Sequence, residues 1–190
     1  MNLAANLILA SKSPRRRELM QLVTPNFTCA VAGIDETAVS APSPRLLAQQ
    51  LAIVKADAIF ALHPHQAVIG CDTVVDLEGK ALGKPLDKED AIAMLTALSG
   101  KEHLVHTGVC IQGNFTPVSF IETTKVYFAP IPIEEITRYA DTNEPYDKAG
   151  GYGIQGTAAR FIPRISGCYY NVMGLPVASL YCALKKLNLL

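Results

Sequence analysis

The sequence has no excess of either charge, and this excludes one class of partner. Among its 190 residues, 17 Lys and Arg balance 17 Asp and Glu. A protein that coats nucleic acid or an acidic membrane by bulk attraction needs a net positive charge. We therefore expect neither nucleic acid nor a membrane as a partner, although a local basic cluster can still form a site.

Paired cysteines are also absent. The five cysteines are widely spaced, odd in number and never in a C-x-x-C pair: Cys29, Cys71, Cys110, Cys168 and Cys182. This spacing excludes the common zinc and redox motifs and favours small buried residues in a reducing compartment. Cys71 would be a candidate nucleophile only with a basic partner, and none is identifiable beside it.

The sequence shows no pattern typical of a signal peptide, a membrane span or an internal repeat. No apolar run approaches the ~20 residues of a membrane span. Near the N-terminus, the cations of residues 12–17 follow the apolar residues 7–10, which is the reverse of a signal peptide. We expect a cytoplasmic protein with a single domain across residues 1–190.

Several familiar enzyme motifs do not occur. The sequence has no Walker pattern and no G-x-G-x-x-G after a strand, so it fits neither a P-loop kinase nor a dinucleotide enzyme. Its four histidines lack metalloprotease spacing, and no Ser-His-Asp arrangement can be argued. Candidate catalytic residues must therefore be sought outside these motifs.

Apolar periodicity predicts helices that alternate with buried strands and hairpins. Residues 7–10 and 67–70 are short apolar runs typical of buried strands, whereas residues 47–62 repeat at steps of three and four, as in a long amphipathic helix. Hairpins are predicted around residues 78–79 and 166–167. This alternation favours an α/β fold with a mixed sheet rather than a purely parallel one.

The segment from Ser11 to Arg16 predicts a phosphate site at a helix start. Ser13 can cap the helix, with Pro14 at its first position. A helix start offers unpaired backbone N–H groups, and the side chains of Ser11, Ser13, Arg15 and Arg16 add donors that match phosphate oxygens. The alternative is ordinary capping of a surface helix, but capping does not explain three successive arginines.

Two carboxylates and two lysines complete a set suited to polyphosphate chemistry. Asp72 directly follows the apolar run, so we predict that it lies beyond the carboxyl end of a strand, where α/β proteins bind ligands. Glu36 is a weaker candidate in an acidic loop. Lys55 lies beside the apolar stripe of its helix, and Lys84 is flanked by glycine and proline. The alternatives are a turn aspartate and a snorkelling lysine.

A glycine-rich segment, residues 147–156, is the remaining candidate. Its four glycines permit close approach of the backbone to a ligand. The side-chain amide of Gln155 can both donate to and accept from a nucleobase edge. The alternative is a flexible loop before a strand.

Taken in order, these motifs make the sequence similar to the Maf family across nearly its whole length. The matching segments are residues 9–16, Asp35-Glu36-Thr37, Lys55-Ala56, residues 70–75, Gly83-Lys84-Pro85, residues 106–109 and 147–156, and Met173-Gly174-Leu175-Pro176. The resemblance implies a mixed, strongly twisted α/β sheet with flanking helices and two lobes around a central cleft, an architecture shared with ITPase-like proteins.

The resemblance also implies an activity. Maf proteins are house-cleaning nucleoside triphosphate pyrophosphatases that need a divalent cation, Mg²⁺ or Mn²⁺, and release a nucleoside monophosphate and pyrophosphate. They are often homodimers. By this resemblance Asp72 is the proton acceptor, and Glu36 and Asp72 bind the metal. The phosphate-binding residues would be Ser11, Ser13, Arg16, Lys55 and Lys84.

Three positions resemble the branch of the family that acts on dTTP and UTP. Here they are Arg15, Thr73 and Gln155, whereas the 7-methyl-GTP branch would have Trp, Gln and Glu. A neutral amide can pair with the edge of thymine or uracil. The alternative function is a regulatory protein that senses nucleotides during cell division without turning them over.

Overall fold

The computed structural model of the chain describes residues 7–31 and 33–190. Its strands are β1 (Leu7–Ala10), β2 (Phe27–Ala30), β3 (Ala67–Leu77), β4 (Lys80–Leu82), β5 (Glu102–Gly113), β6 (Phe115–Tyr127) and β7 (Arg164–Ser166). Its helices are α1 (Pro14–Gln21), α2 (Pro44–Leu62), α3 (Lys88–Leu98), α4 (Ile133–Ala140), α5 (Tyr169–Met173) and α6 (Val177–Lys186). Within the described residues, no helix combines the length and apolar character needed to cross a membrane.

The strands form one mixed sheet in the order β2-β1-β3-β5-β6-β7, with β4 paired to β3. Strand β1 is parallel to β2 and β3, and the remaining pairs are antiparallel. The predicted mixed α/β fold is therefore confirmed.

Strand β1 is apolar at every position because both of its faces are covered. Leu7 and Leu9 join a core cluster with α1 and α6, whereas Ile8 and Ala10 join a cluster with α2. Successive side chains of a strand point to opposite faces, so a strand between two helical layers needs apolar residues throughout.

Asp72 lies inside a strand, and the prediction that it follows a strand end was wrong. Strand β3 continues to Leu77 because β5 pairs with it antiparallel from Val68 to Asp76. The parallel partner β1 does stop at Ala10, opposite Gly70. Asp72 is thus two residues beyond the carboxyl end of β1, on a strand that extends past it.

Two glycines let α2 approach the sheet closely. A Cβ on Gly70 would lie 2.1 Å from the Ala52 carbonyl oxygen, and one on Gly108 would lie 2.3 Å from that of Ala48. Such distances leave no room for a side chain. The close packing carries Lys55 of α2 to the same face of β3 that holds Asp72.

One of the two predicted hairpins is confirmed. Strands β3 and β4 join through Glu78 and Gly79, which both have positive φ (53° and 84°). The hairpin around residues 166–167 was wrong, because β7 pairs with β6 and the following residues form α5. That helix ends at Gly174 in the left-handed conformation (φ 116°), which glycine adopts without strain.

Candidate active site

A cleft of about 800 Å³ opens between the start of α1, the helix α2, the β3–β4 hairpin and the glycine-rich segment. All ten residues proposed from the sequence line it: Ser11, Ser13, Arg15, Arg16, Glu36, Lys55, Asp72, Thr73, Lys84 and Gln155. The structure therefore brings the whole set to one place, while the role of each residue remains a prediction.

Lys55 joins two carboxylates of the cleft, those of Glu36 and Asp72. Its ammonium bonds to Asp72 Oδ1 and lies 3.1 Å from Glu36 Oε1. The side chains of Lys55 and Asp72 are each only 12% exposed, whereas that of Glu36 is 49% exposed. The snorkelling alternative for Lys55 is thus wrong, because its ammonium faces carboxylates in the cleft rather than bulk water.

A short turn holds Glu36 in position. Residues Glu36–Ala38 form a single 3₁₀ turn, and Asp35 Oδ1 caps it by accepting from the Thr37 N–H (3.0 Å) and the Thr37 hydroxyl (2.6 Å). The hydrogen bonds from Thr37 lower the pKa of Asp35. The motif Asp35-Glu36-Thr37 is therefore a capped turn that presents Glu36 to the cleft.

The start of α1 offers side-chain donors more than backbone donors. Ser11 Oγ accepts from the Ser13 N–H (3.2 Å), and Ser13 Oγ accepts from the Arg16 N–H (3.5 Å). The Arg17 N–H bonds to the Ser13 carbonyl (3.2 Å). These bonds use backbone donors that we expected to be free, and they leave the hydroxyl hydrogens of both serines for a ligand.

Arg16 is held by two acceptors on neighbouring elements. Its Nε donates to the Gly174 carbonyl (2.8 Å), and its Nη2 donates to Thr73 Oγ1 (3.0 Å). Thr73 in turn contacts Thr107 Oγ1 at 3.0 Å. The sequence singled out Arg16 and Thr73 separately, and only the structure shows that they touch.

The glycine-rich segment forms the opposite wall of the cleft. The Gly150 N–H donates to the Gly83 carbonyl (2.8 Å), which ties this segment to the residue before Lys84. Lys84 and Gln155 are exposed, and Lys84 makes no hydrogen bond or ion pair with the residues that the structure describes. Both side chains are free to meet a ligand.

A salt bridge joins the two walls. Arg15 Nη1 lies 2.8 Å from Asp147 Oδ2, so the start of α1 contacts the beginning of the glycine-rich segment. The side chains are 31% and 60% exposed, and an exposed ion pair adds little stability. The bridge nevertheless fixes where the Arg15 guanidinium lies.

Tyr152 anchors the glycine-rich segment in the core. Its hydroxyl lies 2.6 Å from His103 Nε2, and the two rings pack edge to face with Phe128. Burial lowers the pKa of His103 to about 4, so its imidazole is neutral at physiological pH. The sequence did not predict either anchoring residue.

Glu144 is a second anchor that sequence reasoning missed. Its carboxylate accepts from the Thr157 N–H (2.9 Å) and from the Tyr139 hydroxyl (3.1 Å). Burial alone would raise the pKa of Glu144, but these hydrogen bonds outweigh it and lower the pKa. Nothing in the local sequence marks Glu144, because its partners lie in other segments.

We expect the Glu144 anchor to fail in acid. Because its pKa is lowered on folding, its contribution to stability is present above the ordinary pKa of 4.5 and is lost as the pH falls below it. Glu144→Gln should lower the Tm near pH 7 by ~2–4 °C, from a loss of about 1 kcal/mol. Melting curves from pH 3.5 to 7.5 should show this difference shrinking in acid.

Glu134→Gln provides the matched control for that series, since Glu134 is exposed on α4. Its Tm should follow the wild type at every pH. A Glu144→Gln difference that stayed constant across the pH range would show that the carboxylate charge does not hold the segment.

Cys71 does not act as a nucleophile in this arrangement. It is fully buried, and burial raises the pKa of its thiol to about 11. Its Sγ donates to the Gly174 carbonyl (3.2 Å), the same acceptor that Arg16 uses. The cysteine is therefore a packing residue, and Asp72 is the candidate for proton chemistry.

The donor set fits a divalent cation that also binds phosphate. Within residues 7–31 and 33–190, no group of three or more His, Cys, Asp or Glu side chains could hold a metal. Magnesium is usually held by one or two carboxylates, with substrate phosphates and waters completing its shell. Glu36 and Asp72, joined through Lys55, match that pattern.

Solved structures show the same fold at low sequence identity. The Ham1 protein of Staphylococcus aureus superimposes with a TM-score of 0.55 at 13% identity, covering 95% of this chain and 98% of that one. A HAM1 protein from Coxiella burnetii gives a TM-score of 0.56 at 16% identity, covering 96% and 99%. This likeness concerns the architecture alone, and it agrees with the expected ITPase-like fold.

Sequence relatives are much more similar. A dTTP/UTP pyrophosphatase of Carboxydothermus hydrogenoformans is 47% identical over 182 residues, covering 95% of this chain and 97% of the relative. One from Symbiobacterium thermophilum is 50% identical over 171 residues, covering 90% and 88%. A family model described as Maf-like protein matches residues 6–187. The chain therefore belongs to the Maf family.

Proposed function

We propose that this chain hydrolyses dTTP and UTP to the nucleoside monophosphate and pyrophosphate. The observation that carries the proposal is the cluster of Glu36, Lys55 and Asp72, which faces the cation-rich start of α1 across one cleft. A phosphoanhydride hydrolase needs carboxylates that can activate water and cations that can hold phosphates. Relatives at 47% and 50% identity carry this activity in their names.

The cations of the cleft are suited to the triphosphate. Arg16, Lys55 and Lys84 line the same cleft as the start of α1, where the hydroxyl hydrogens of Ser11 and Ser13 have no acceptor among residues 7–31 and 33–190. Such donors stabilise the charge that develops on the pyrophosphate leaving group as the bond between the α phosphorus and the bridging oxygen breaks. Holding this group is the role that we propose for them.

Asp72 is proposed to accept the proton of the attacking water. Its carboxylate is buried at the base of the cleft and held on one oxygen by Lys55. The water oxygen would bond to the α phosphorus as its proton passes to Asp72, and pyrophosphate would leave. Glu36 and Asp72 would hold Mg²⁺ or Mn²⁺, and this cation would neutralise charge on the phosphate oxygens.

Arg15 and Gln155 are proposed to select the base. They lie on the two walls of the cleft, and the salt bridge to Asp147 fixes the position of the Arg15 guanidinium. The exposed amide of Gln155 can donate to a carbonyl of uracil or thymine and accept from its ring N–H. Thr73, the third position that the resemblance connects with the base, has its hydroxyl bonded to Arg16 and Thr107.

A pyrophosphate-release assay tests the proposed function directly. Purified protein with Mg²⁺ should release pyrophosphate from dTTP and UTP faster than from dATP, dGTP or 7-methyl-GTP. Nucleotide binding without turnover would instead support the regulatory protein. Release of orthophosphate in place of pyrophosphate would show that a different bond is cleaved.

The proposed metal site predicts competition between Lys55 and the metal. The Lys55 ammonium already neutralises part of the charge on Glu36 and Asp72, so a divalent cation alone should bind weakly. Lys55→Met leaves both carboxylates uncompensated, and we expect it to bind Mn²⁺ at least ~10-fold more tightly than the wild type without nucleotide. Titration followed by electron paramagnetic resonance of free Mn²⁺ measures this.

Lys84→Met is the matched control for this titration, since it also removes one lysine of the cleft but contacts neither carboxylate. It should leave Mn²⁺ affinity nearly unchanged. If Lys55→Met binds Mn²⁺ no better than Lys84→Met does, Glu36 and Asp72 are not the metal ligands.

Two further expectations belong to the same proposal. A house-cleaning enzyme of the nucleotide pool would act in the cytoplasm, which is where we place this chain. The resemblance to often dimeric proteins leads us to expect a homodimer, and light scattering after size exclusion would test it.

A further inference from the structure

Thr73 and Thr107 form a hydrogen-bonded pair beneath the cleft. They lie directly opposite each other on β3 and β5, with their hydroxyl oxygens 3.0 Å apart. Thr73 follows Asp72 in the strand, so the two side chains leave opposite faces of the sheet. Asp72 meets α2, whereas Thr73 meets Arg16 of α1.

The direction of each hydrogen bond in this pair is fixed. Thr107 Oγ1 donates to the Asn171 carbonyl (2.9 Å), which can only accept. A hydroxyl has a single hydrogen, so Thr73 must donate the bond between the two threonines. Arg16 then donates to Thr73, and a one-way chain runs from Arg16 through Thr73 and Thr107 to Asn171.

This series of hydrogen bonds uses the only hydrogen of the Thr73 hydroxyl. The hydroxyl of Thr73 gives its only hydrogen to Thr107 and accepts from Arg16, so it has no donor for a nucleobase. A threonine hydroxyl has one hydrogen and two lone pairs, and here the hydrogen and one lone pair are used inside the protein.

The same contacts orient the Arg16 guanidinium. Its Nε and one N–H of Nη2 are bonded to Gly174 and Thr73, so three of its five N–H groups remain. These three belong to the two terminal nitrogens, the pair that binds phosphate oxygens in a bidentate manner. Two acceptors on different elements prevent the guanidinium from rotating.

We propose that Thr73 and Thr107 are positioning residues that hold Arg16 for the phosphates. This inference rests on the proposed function for the identity of the ligand. Thr107 is completely buried, so it acts only through Thr73. The effect of either threonine should therefore appear on phosphate binding.

Binding of inorganic pyrophosphate tests this inference without a base and without turnover. In isothermal titration with Mg²⁺, Thr73→Val should weaken pyrophosphate binding by about tenfold, because a charged donor loses its acceptor. Thr107→Val should weaken it by about threefold. Thr73→Ser and Thr107→Ser retain the hydroxyls, and both should bind as the wild type does.

A double-mutant cycle with Arg16→Lys shows whether the effect passes through Arg16. An ammonium cannot reproduce the guanidinium fork, so adding Thr73→Val to Arg16→Lys should weaken binding by less than about twofold. Full additivity of the two substitutions would overturn the proposal. So would a loss of pyrophosphate binding in the serine variants, since it would show that packing matters rather than the hydroxyl.

Base preference is measured separately, because it reports on contact with the base rather than with the phosphates. The ratio of kcat/KM for dTTP to that for dGTP, compared between Thr73→Val and the wild type, shows whether Thr73 acts on the base instead. A changed ratio with unchanged pyrophosphate binding would mean that Thr73 reads the base. Absence of turnover in the wild type would refute the proposed function, whereas the pyrophosphate titrations would still decide the role of the two threonines.

Discussion

Asp72→Asn should lower kcat for dTTP by about 10³-fold or more while the chain stays folded. A positioned general base contributes about 10²–10⁴-fold to a rate, and the amide cannot accept the proton of water. Asn keeps the shape of Asp and an oxygen that Lys55 can reach, so the loss would come from the missing proton acceptor and the weakened metal site rather than from unfolding. Pyrophosphate release under saturating nucleotide, together with a melting curve, measures both quantities.

Asp57→Asn is the control for that substitution. Asp57 lies two residues from Lys55 on α2, is exposed, and accepts a hydrogen bond from Gln112 (2.9 Å) that Asn can keep. Its kcat should match the wild type. If Asp72→Asn retains full activity, Asp72 is not the proton acceptor, and Glu36 becomes the next carboxylate to test.

Gly70→Ala should both destabilise the protein and reduce activity. The added Cβ would lie 2.1 Å from the Ala52 carbonyl oxygen and 2.7 Å from the Ala56 nitrogen, which are backbone atoms that cannot turn aside. Overpacking of this kind costs about 3 kcal/mol, which corresponds to a Tm lower by ~6–12 °C in a chain of this length.

The activity loss has a separate cause. Gly70 lies two residues before Asp72 on the same face of β3, and Ala56 follows Lys55 on α2. Moving α2 away from the sheet therefore separates Lys55 from Asp72. A displacement of about 1 Å at a catalytic group can cost ~10²-fold in rate, so kcat should fall well below the wild type at a temperature where the variant is folded.

Gly33→Ala is the control for the glycine substitution, because a Cβ there would meet no atom of the described residues within 4 Å, its chain neighbours aside. Its Tm and kcat should stay close to those of the wild type. A Gly70→Ala protein with wild-type Tm would show that α2 can move freely, and the close packing would then not position Lys55.

Local signals in the sequence were reliable where a few neighbouring residues decide the outcome. Ser13 caps α1 by accepting from the Arg16 N–H (3.5 Å), and the β3–β4 turn falls at residues 78–79. Caps and two-residue turns depend on contacts within four residues, so the local sequence contains what they need.

Predictions from the local sequence failed where a residue far away in the sequence determines the secondary structure. Asp72 was predicted to follow a strand end, but pairing with β5 carries β3 through it to Leu77. The hairpin expected around residues 166–167 is replaced by α5 because Cys168 and Asn171 bond to Thr124 of β6. Tertiary contacts override local propensity in both places.

By itself the sequence determined the mixed α/β class, the family and ten of the residues that line the cleft, because residue chemistry and motif order are properties of the sequence. The tertiary structure decided which of them touch. It placed Lys55 between two carboxylates, and it bonded Arg16 to Gly174, 158 residues away. The physical reason is that each hydroxyl or guanidinium has a fixed number of hydrogens, and only the fold decides which partners receive them.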